Sequence, residues 1–222
     1  MKIRLIAVYG LLATAAVWAD AMKSVDFTVP GGVRCRLTAE GASMWRIRTA
    51  RADGTFADVG AAQALARWMG ETLRPAPRPL RETIEAGVRV FTAPDGSKAL
   101  LMADGSLLAF VSATGRKVVD VARLVPGAKG SVLAGRLQPR EAVYGLGERL
   151  DRLNKRGTRV RLCTSDGYND SSASYVAIPL FSTTRGGGVF VNAYEIMTAD
   201  FGASAPDEAG VLSTDTKEQT AL

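Results

Sequence analysis

The stretch VDFTVPGGVRCRLT, residues 25–38, decides the fold class. Val25, Phe27 and Val29 alternate with Asp26 and Thr28; Val33, Cys35 and Leu37 alternate with Arg34, Arg36 and Thr38. Side chains of an extended chain point to opposite faces with a period of two, so each run reads as a half-buried strand. Trp45, Ile47 and Thr49 repeat the pattern against Arg46 and Arg48.

Outward from there, strands follow almost everywhere. Ala99 to Ala103 and Ser106 to Ser112 flank Asp104-Gly105, a strong hairpin signal because such a turn needs positive φ at its centre. Further turns are expected at Asp53-Gly54 and Asp95-Gly96. Residues 118–121, 131–137, 158–163, 175–181 and 188–193 continue the series at the spacing of an antiparallel sandwich. One segment differs: Ala61, Ala62, Leu65, Trp68 and Met69 recur at helical spacing until Gly70 and the proline-rich 74–79. That spacing predicts a short helix, with a partly ordered insertion between strands as the alternative. The expected fold is all-β, an antiparallel β-sandwich of two packed sheets with one short helix.

Residues 1–21 carry a leader pattern. Lys2 and Arg4 precede an apolar run from Leu5 to Trp18, and Ala19-Asp20-Ala21 supplies small residues for cleavage. The run falls short of the roughly 20 residues that span a bilayer, so a signal peptide is expected, with an N-terminal anchor as the alternative. A periplasmic or secreted protein follows, with no membrane contact after cleavage. Residues 22–222 read as one domain, since a chain of 222 residues, 47% hydrophobic and 23% charged, can bury a core.

The formal charge of +6 and the cluster Arg149, Arg152, Lys155, Arg156, Arg159 and Arg161 raise nucleic acid as a partner. Export argues against it. Glu141, Glu148 and Asp151 interrupt the cluster, and arginines alternating with Val160 and Leu162 suit the solvent face of a strand. Cys35 and Cys163 would meet an oxidising compartment, where a bridge between them is open. The absence of histidine excludes serine–histidine and cysteine–histidine nucleophile systems and imidazole zinc sites.

Individual motifs promise little chemistry. Gly145-Leu-Gly147 has Leu150 where a dinucleotide fingerprint needs its third glycine. Asp166-Gly-Tyr-Asn-Asp170 lacks the spacing and terminal Glu of a calcium loop, so Asx turns are its ordinary reading. Glu148 and Asp151, with Asp166 approaching, would suit a carboxylate pair for glycoside cleavage. Pairing of those acids with neighbouring arginines is the plainer role. Gly145, Gly147 and Gly186–Gly188 read as shape-giving positions. No cofactor, metal or catalytic residue is expected in this chain.

Taken in order, Tyr144-Gly-Leu-Gly-Glu-Arg-Leu-Asp-Arg-Leu-Asn-Lys-Arg-Gly157, Cys163-Thr-Ser-Asp166, Ile178-Pro-Leu-Phe-Ser182 and Arg185-Gly-Gly-Gly-Val-Phe-Val-Asn192 resemble the N-terminal domain of glycoside hydrolase family 31. That family includes retaining α-glucosidases and α-xylosidases. The resemblance implies a galactose-mutarotase-like β-sandwich leaning over the mouth of a (β/α)8 barrel. The catalytic aspartates of such enzymes belong to the barrel, the nucleophile within a Trp-x-Asp-Met-Asn-Glu type motif. None of Trp18, Trp45 and Trp68 begins one.

The resemblance also implies that a loop of this domain reaches the sugar through an aspartate closing a Trp-Asn-x-Asp type motif. Asp166 matches that aspartate, while Cys163 and Thr164 stand at the Trp and Asn positions. The expectation is therefore the exported N-terminal domain of an α-glycosidase, incomplete at its C-terminus and catalytically incompetent alone, with Asp166 bordering the site for an α-linked glycoside. A free-standing exported carbohydrate-binding or interaction sandwich is the alternative.

Overall fold

A computed structural model describes residues 22–50, 53–56, 77–127, 130–164, 174–191 and 196–212. The leader, the helix expected over 61–69 and Asp166 lie outside the described residues. All regular structure among the described residues is strand.

The alternating segments at the start form β1 (Val25–Thr28), β2 (Arg34–Ala39) and β3 (Trp45–Thr49), an antiparallel sheet in that order. A ladder of sequence neighbours follows: β4 (Arg81–Glu85), β5 (Val88–Thr92), β6 (Lys98–Met102), β7 (Leu107–Val111), β8 (Lys117–Gly127) and β9 (Gly130–Arg136). The Asp95-Gly96 turn joins β5 to β6 and the Asp104-Gly105 turn joins β6 to β7, as their chemistry dictates.

After β10 (Val143–Gly147) come β11 (Arg159–Leu162), β12 (Ala177–Thr183), β13 (Gly188–Phe190), β14 (Met197–Phe201) and β15 (Glu208–Leu212). β10, β12 and β13 make a second small sheet, and β11, β14 and β15 extend the ladder to nine strands in the order β11-β14-β15-β9-β8-β7-β6-β5-β4. The expected sandwich is present, with its second layer split into two short sheets.

Register shows that both short sheets cover the same face of the long one. Residues directly opposite on paired strands share a face, and Val121 pairs with Gly135, Gly135 with Ala209, and Ala209 with Phe201. Val121 belongs to the core beneath β1–β3, with Phe27, Cys35, Leu37, Phe91 and Leu101. Ala209 and Phe201 belong to the core beneath β10, β12 and β13, with Val143, Leu146, Val160, Phe181 and Met197. Each fully buried large side chain contributes about 1.5–3 kcal/mol by leaving water. Phe181 and Phe201 add an edge-to-face contact at 5.0 Å between ring centres.

Cys35 is fully buried in the first core and Cys163 is half-exposed just past β11; both are free thiols. Burial pushes the Cys35 thiol up to about 11.

Candidate functional site

The motif Tyr144-Gly-Leu-Gly147 occupies β10, where its glycines are steric requirements. The register with β12 slips between Gly145 and Gly147. Leu146, at φ 77°, swings inward to become fully buried in the second core. Gly145 and Gly147 flank it at φ 122° and 85°. A methyl group on Gly145 would lie 2.5 Å from the Leu180 carbonyl oxygen, and one on Gly147 would overlap that of Val176. This is a bulge that drives an apolar side chain into the core, at the cost of a left-handed backbone at a leucine.

The charged half of the stretch then folds back along β10. The Lys155 N–H donates to the Val143 carbonyl at 2.8 Å, and the Asn154 side-chain oxygen accepts from the N–H groups of Val143 and Arg156, both at 3.1 Å. Inside this turn Asp151 takes the Lys155 ammonium on one oxygen and Arg149 on the other, the latter at 3.0 Å. Lys155 also donates to the Arg152 carbonyl at 2.6 Å, and Arg149 to the Arg161 carbonyl at 3.2 Å. Burial alone would raise the Asp151 carboxyl, yet hydrogen bonds from Lys155 and then Arg149 outweigh it and hold the group below its ordinary value. A carboxylate so paired serves as a hydrogen-bond acceptor for Lys155 and Arg149, the charge-pairing role.

Two more residues of the basic cluster are committed in the same way. Arg156 donates to the carbonyls of Gln138, Glu141 and Pro206, and Arg159 pairs with Asp200 at 3.1 Å. Arg149, Lys155, Arg156 and Arg159 thus act as internal clasps. Glu141, buried beside Arg185 at 3.8 Å, accepts from the Gln138 N–H. Among the described residues no group of three or more Cys, Asp or Glu is arranged to hold a metal ion.

From this turn β11 leads to Cys163 and Thr164, after which comes the segment that contains Asp166. Thr164 bridges to Ser174, and the Ser174 N–H donates to the Cys163 carbonyl at 3.1 Å, so the residues flanking that segment are tied together. Arg149 anchors the same strand two residues earlier, through the Arg161 carbonyl.

One outer surface is apolar. Tyr175, Val176, Ile178, Leu180 and Phe190 are exposed, and Leu150 and Leu153 protrude from the adjoining turn. Leu180 pairs with Phe190 across β12 and β13, placing both on the outer face of the second small sheet with Ile178. The alternation Tyr175-Ala177-Pro179 against Val176-Ile178-Leu180 carried the signal, since both sets are apolar.

Comparison with known proteins agrees with this geometry. The sequence pattern of the glycosyl hydrolase 31 N-terminal galactose mutarotase-like domain matches residues 72–200. The chain belongs to this family. As a family 31 N-terminal domain it is 42% identical over 52 residues to an α-xylosidase of Emericella nidulans, a match spanning 23% of this chain and 7% of that protein. Among solved structures, the domain resembles a family 31 dextranase of Flavobacterium johnsoniae complexed with isomaltotriose, with a TM-score of 0.63 at 18% identity, covering 85% of this chain and 23% of that one. It also resembles a family 31 α-xylosidase from a soil metagenome complexed with xylose, with a TM-score of 0.64 at 16% identity over 86% of this chain and 30% of that one. The cycloalternan-forming enzyme of Listeria monocytogenes gives 0.65 at 15% identity, over 89% and 19%. The chain thus spans less than a third of each relative's length.

Proposed function

We propose that this chain is the N-terminal β-sandwich of an exported, retaining α-glycosidase. In this reading it packs on a (β/α)8 barrel that carries the catalytic aspartates, and Asp166 borders the sugar subsite. The single observation that supports it is the family match over residues 72–200, which takes in the bulged β10, the clasped turn and both tied ends of the Asp166 loop.

A carboxylate at Asp166 suits sugar hydroxyls because hydrogen bonds to an ionised acceptor are shorter and roughly twice as strong as neutral ones. The chain on its own contributes that one acceptor and no acid or nucleophile.

The purified chain is expected to leave an aryl α-glucoside and an aryl α-xyloside intact. Enzyme-like turnover by the wild-type chain would sink the claim that catalysis is supplied elsewhere. Calorimetry with the same glycosides is expected to register weak binding or none. Micromolar affinity that disappears in Asp166→Asn would favour a free-standing carbohydrate-binding sandwich instead.

A further inference from the structure

We infer that the outer edge of β4 pairs antiparallel with the same edge of a second copy of this chain, joining the two long sheets across a two-fold axis. β4 ends the nine-stranded order and, among the described strands, pairs with β5 alone. It lies eight strand spacings of about 4.8 Å from β11, the strand that leads toward Asp166. The end of the sheet that would meet a barrel through Asp166 is therefore the opposite one.

The β4–β5 hairpin fixes which backbone groups face outward. Glu85 pairs with Val88 across Ala86 and Gly87, whose φ values of 50° and 80° are those of a type I′ turn. The residues that close such a turn exchange hydrogen bonds, and bonded pairs alternate with unbonded ones along the strands. Arg81, Thr83 and Glu85 thus bond β5, while Glu82 and Ile84 turn their N–H and C=O groups away from it. Leu80 follows the same alternation, since its N–H donates to the Met22 carbonyl at 2.7 Å. The edge is open to solvent: Ile84 is 73% exposed, and Arg81 and Glu85 are exposed.

Arg81-Glu-Thr-Ile-Glu85 is self-complementary in one register. With Thr83 on the axis, Glu82 of each copy lies opposite Ile84 of the other, and the two pairs exchange four backbone hydrogen bonds. Arg81 then faces Glu85 of the second copy on both sides of the axis, with about 4.5–5.5 Å between Cβ atoms. Within the chain, Arg81 and Glu85 form no ion pair among the described residues; Glu85 accepts the Thr83 hydroxyl at 3.3 Å. Sliding by two residues in one direction needs the Leu80 N–H, already donated to Met22, and in the other it sets Glu82 against Ala86 in the turn. Edge charges of one sign repel a second copy, but opposite signs at the two ends attract an antiparallel one. The Ile84 side chains become diagonal neighbours across the axis and lose part of their exposure. Four hydrogen bonds and two exposed ion pairs make a small interface, so the expected Kd is on the order of 100 μM.

The pairing is independent of the glycosidase reading, which stands or falls on glycoside chemistry. The test is sedimentation equilibrium of the purified full chain from about 10 μM to about 1 mM. The wild type is expected to pass from monomer to dimer over that range. Arg81→Glu and Glu85→Arg each set like charges opposite one another and should weaken pairing by about 10-fold or more. Mixed in equal amounts, the two variants should recover it, because every opposed pair then carries opposite signs; that recovery also excludes loss by unfolding. A wild type that stays monomeric overturns the inference. So do single variants that dimerise as well as the wild type, a mixture no stronger than its components, or an open-ended series of larger species.

Discussion

The Lys155 ammonium rests on the Asp151 carboxylate four residues before it, although Lys155 is 4% exposed. A buried lysine persists as an ion only where its charge is answered, and here Asp151 and the Arg152 carbonyl answer it. Asp151 in turn binds Arg149, so a single carboxylate holds two buried cations in one turn.

Removing the anion should therefore hurt more than removing one cation. Asp151→Ala is expected to cost about 3–5 kcal/mol by leaving the buried Lys155 ammonium without its anion. Lys155→Met, which leaves Arg149 on Asp151, should cost on the order of 1 kcal/mol. The double variant should be more stable than Asp151→Ala alone; urea unfolding of the three proteins checks the order.

The bulge in β10 predicts a contrast between two glycines of similar backbone. Gly147→Ala meets the Val176 carbonyl and should cost roughly 2–4 kcal/mol. Gly157, at φ 78° with nothing within 4 Å, should tolerate alanine for about 1 kcal/mol, the conformational term alone. Equal losses in melting temperature would refute a steric origin for the Gly-Leu-Gly spacing.

Asp26 gives the fold an acid dependence. Hydrogen bonds from Arg36, opposed by burial and then reinforced by Arg34, lower its carboxyl from 3.8 to about 2. A depressed folded value means stabilisation that is complete above the ordinary value and is lost as the pH falls toward 2. Acid titration of stability should be flatter in Asp26→Asn across that window and unchanged near neutrality. Identical slopes in the two proteins would count against the pairing.

The thiols should separate by accessibility. A disulfide reagent is expected to label Cys163 within minutes in the native protein and Cys35 only after guanidinium unfolding, because Cys35 is fully buried with its thiol raised to about 11. Rapid native labelling of both thiols would place Cys35 outside the first core.

Much of this architecture was legible. β1 to β3 followed from strict alternation, and the Asp104-Gly105 hairpin from its turn residues, because both signals are local. β4 and β5 were missed: Ile84 is 73% exposed on an edge strand, so its alternation does not separate inside from outside. β14 and β15 were missed because Met197-Thr-Ala-Asp-Phe201 buries Asp200, whose carboxylate is satisfied by Ser204, Arg159 and the Ala203 N–H. Period-two reasoning cannot anticipate a polar residue that finds its partners in the following turn.

The site was legible in kind rather than in detail. Charge pairing was the expected role for Asp151, and the structure gives it Arg149 as one partner. The second partner, Lys155, belongs by sequence to a cluster that suits a solvated face, yet it is buried. The inward turn of Leu146 had no sequence signal apart from the glycines on either side, since only the finished β10–β12 pairing makes the bulge necessary.

The strand order also carries a timetable. β4 to β8 pair only with sequence neighbours, and β1 to β3 do the same, so the first core closes over short loops that cost little entropy. The second core waits for β14 and β15, because β15 pairs with β9 across the whole intervening segment. A chain emerging from the ribosome can complete one half of its interior while the other half is still unsynthesised. Until β15 arrives, the outer edge of β9 is an open strand that a chaperone or another nascent chain can occupy.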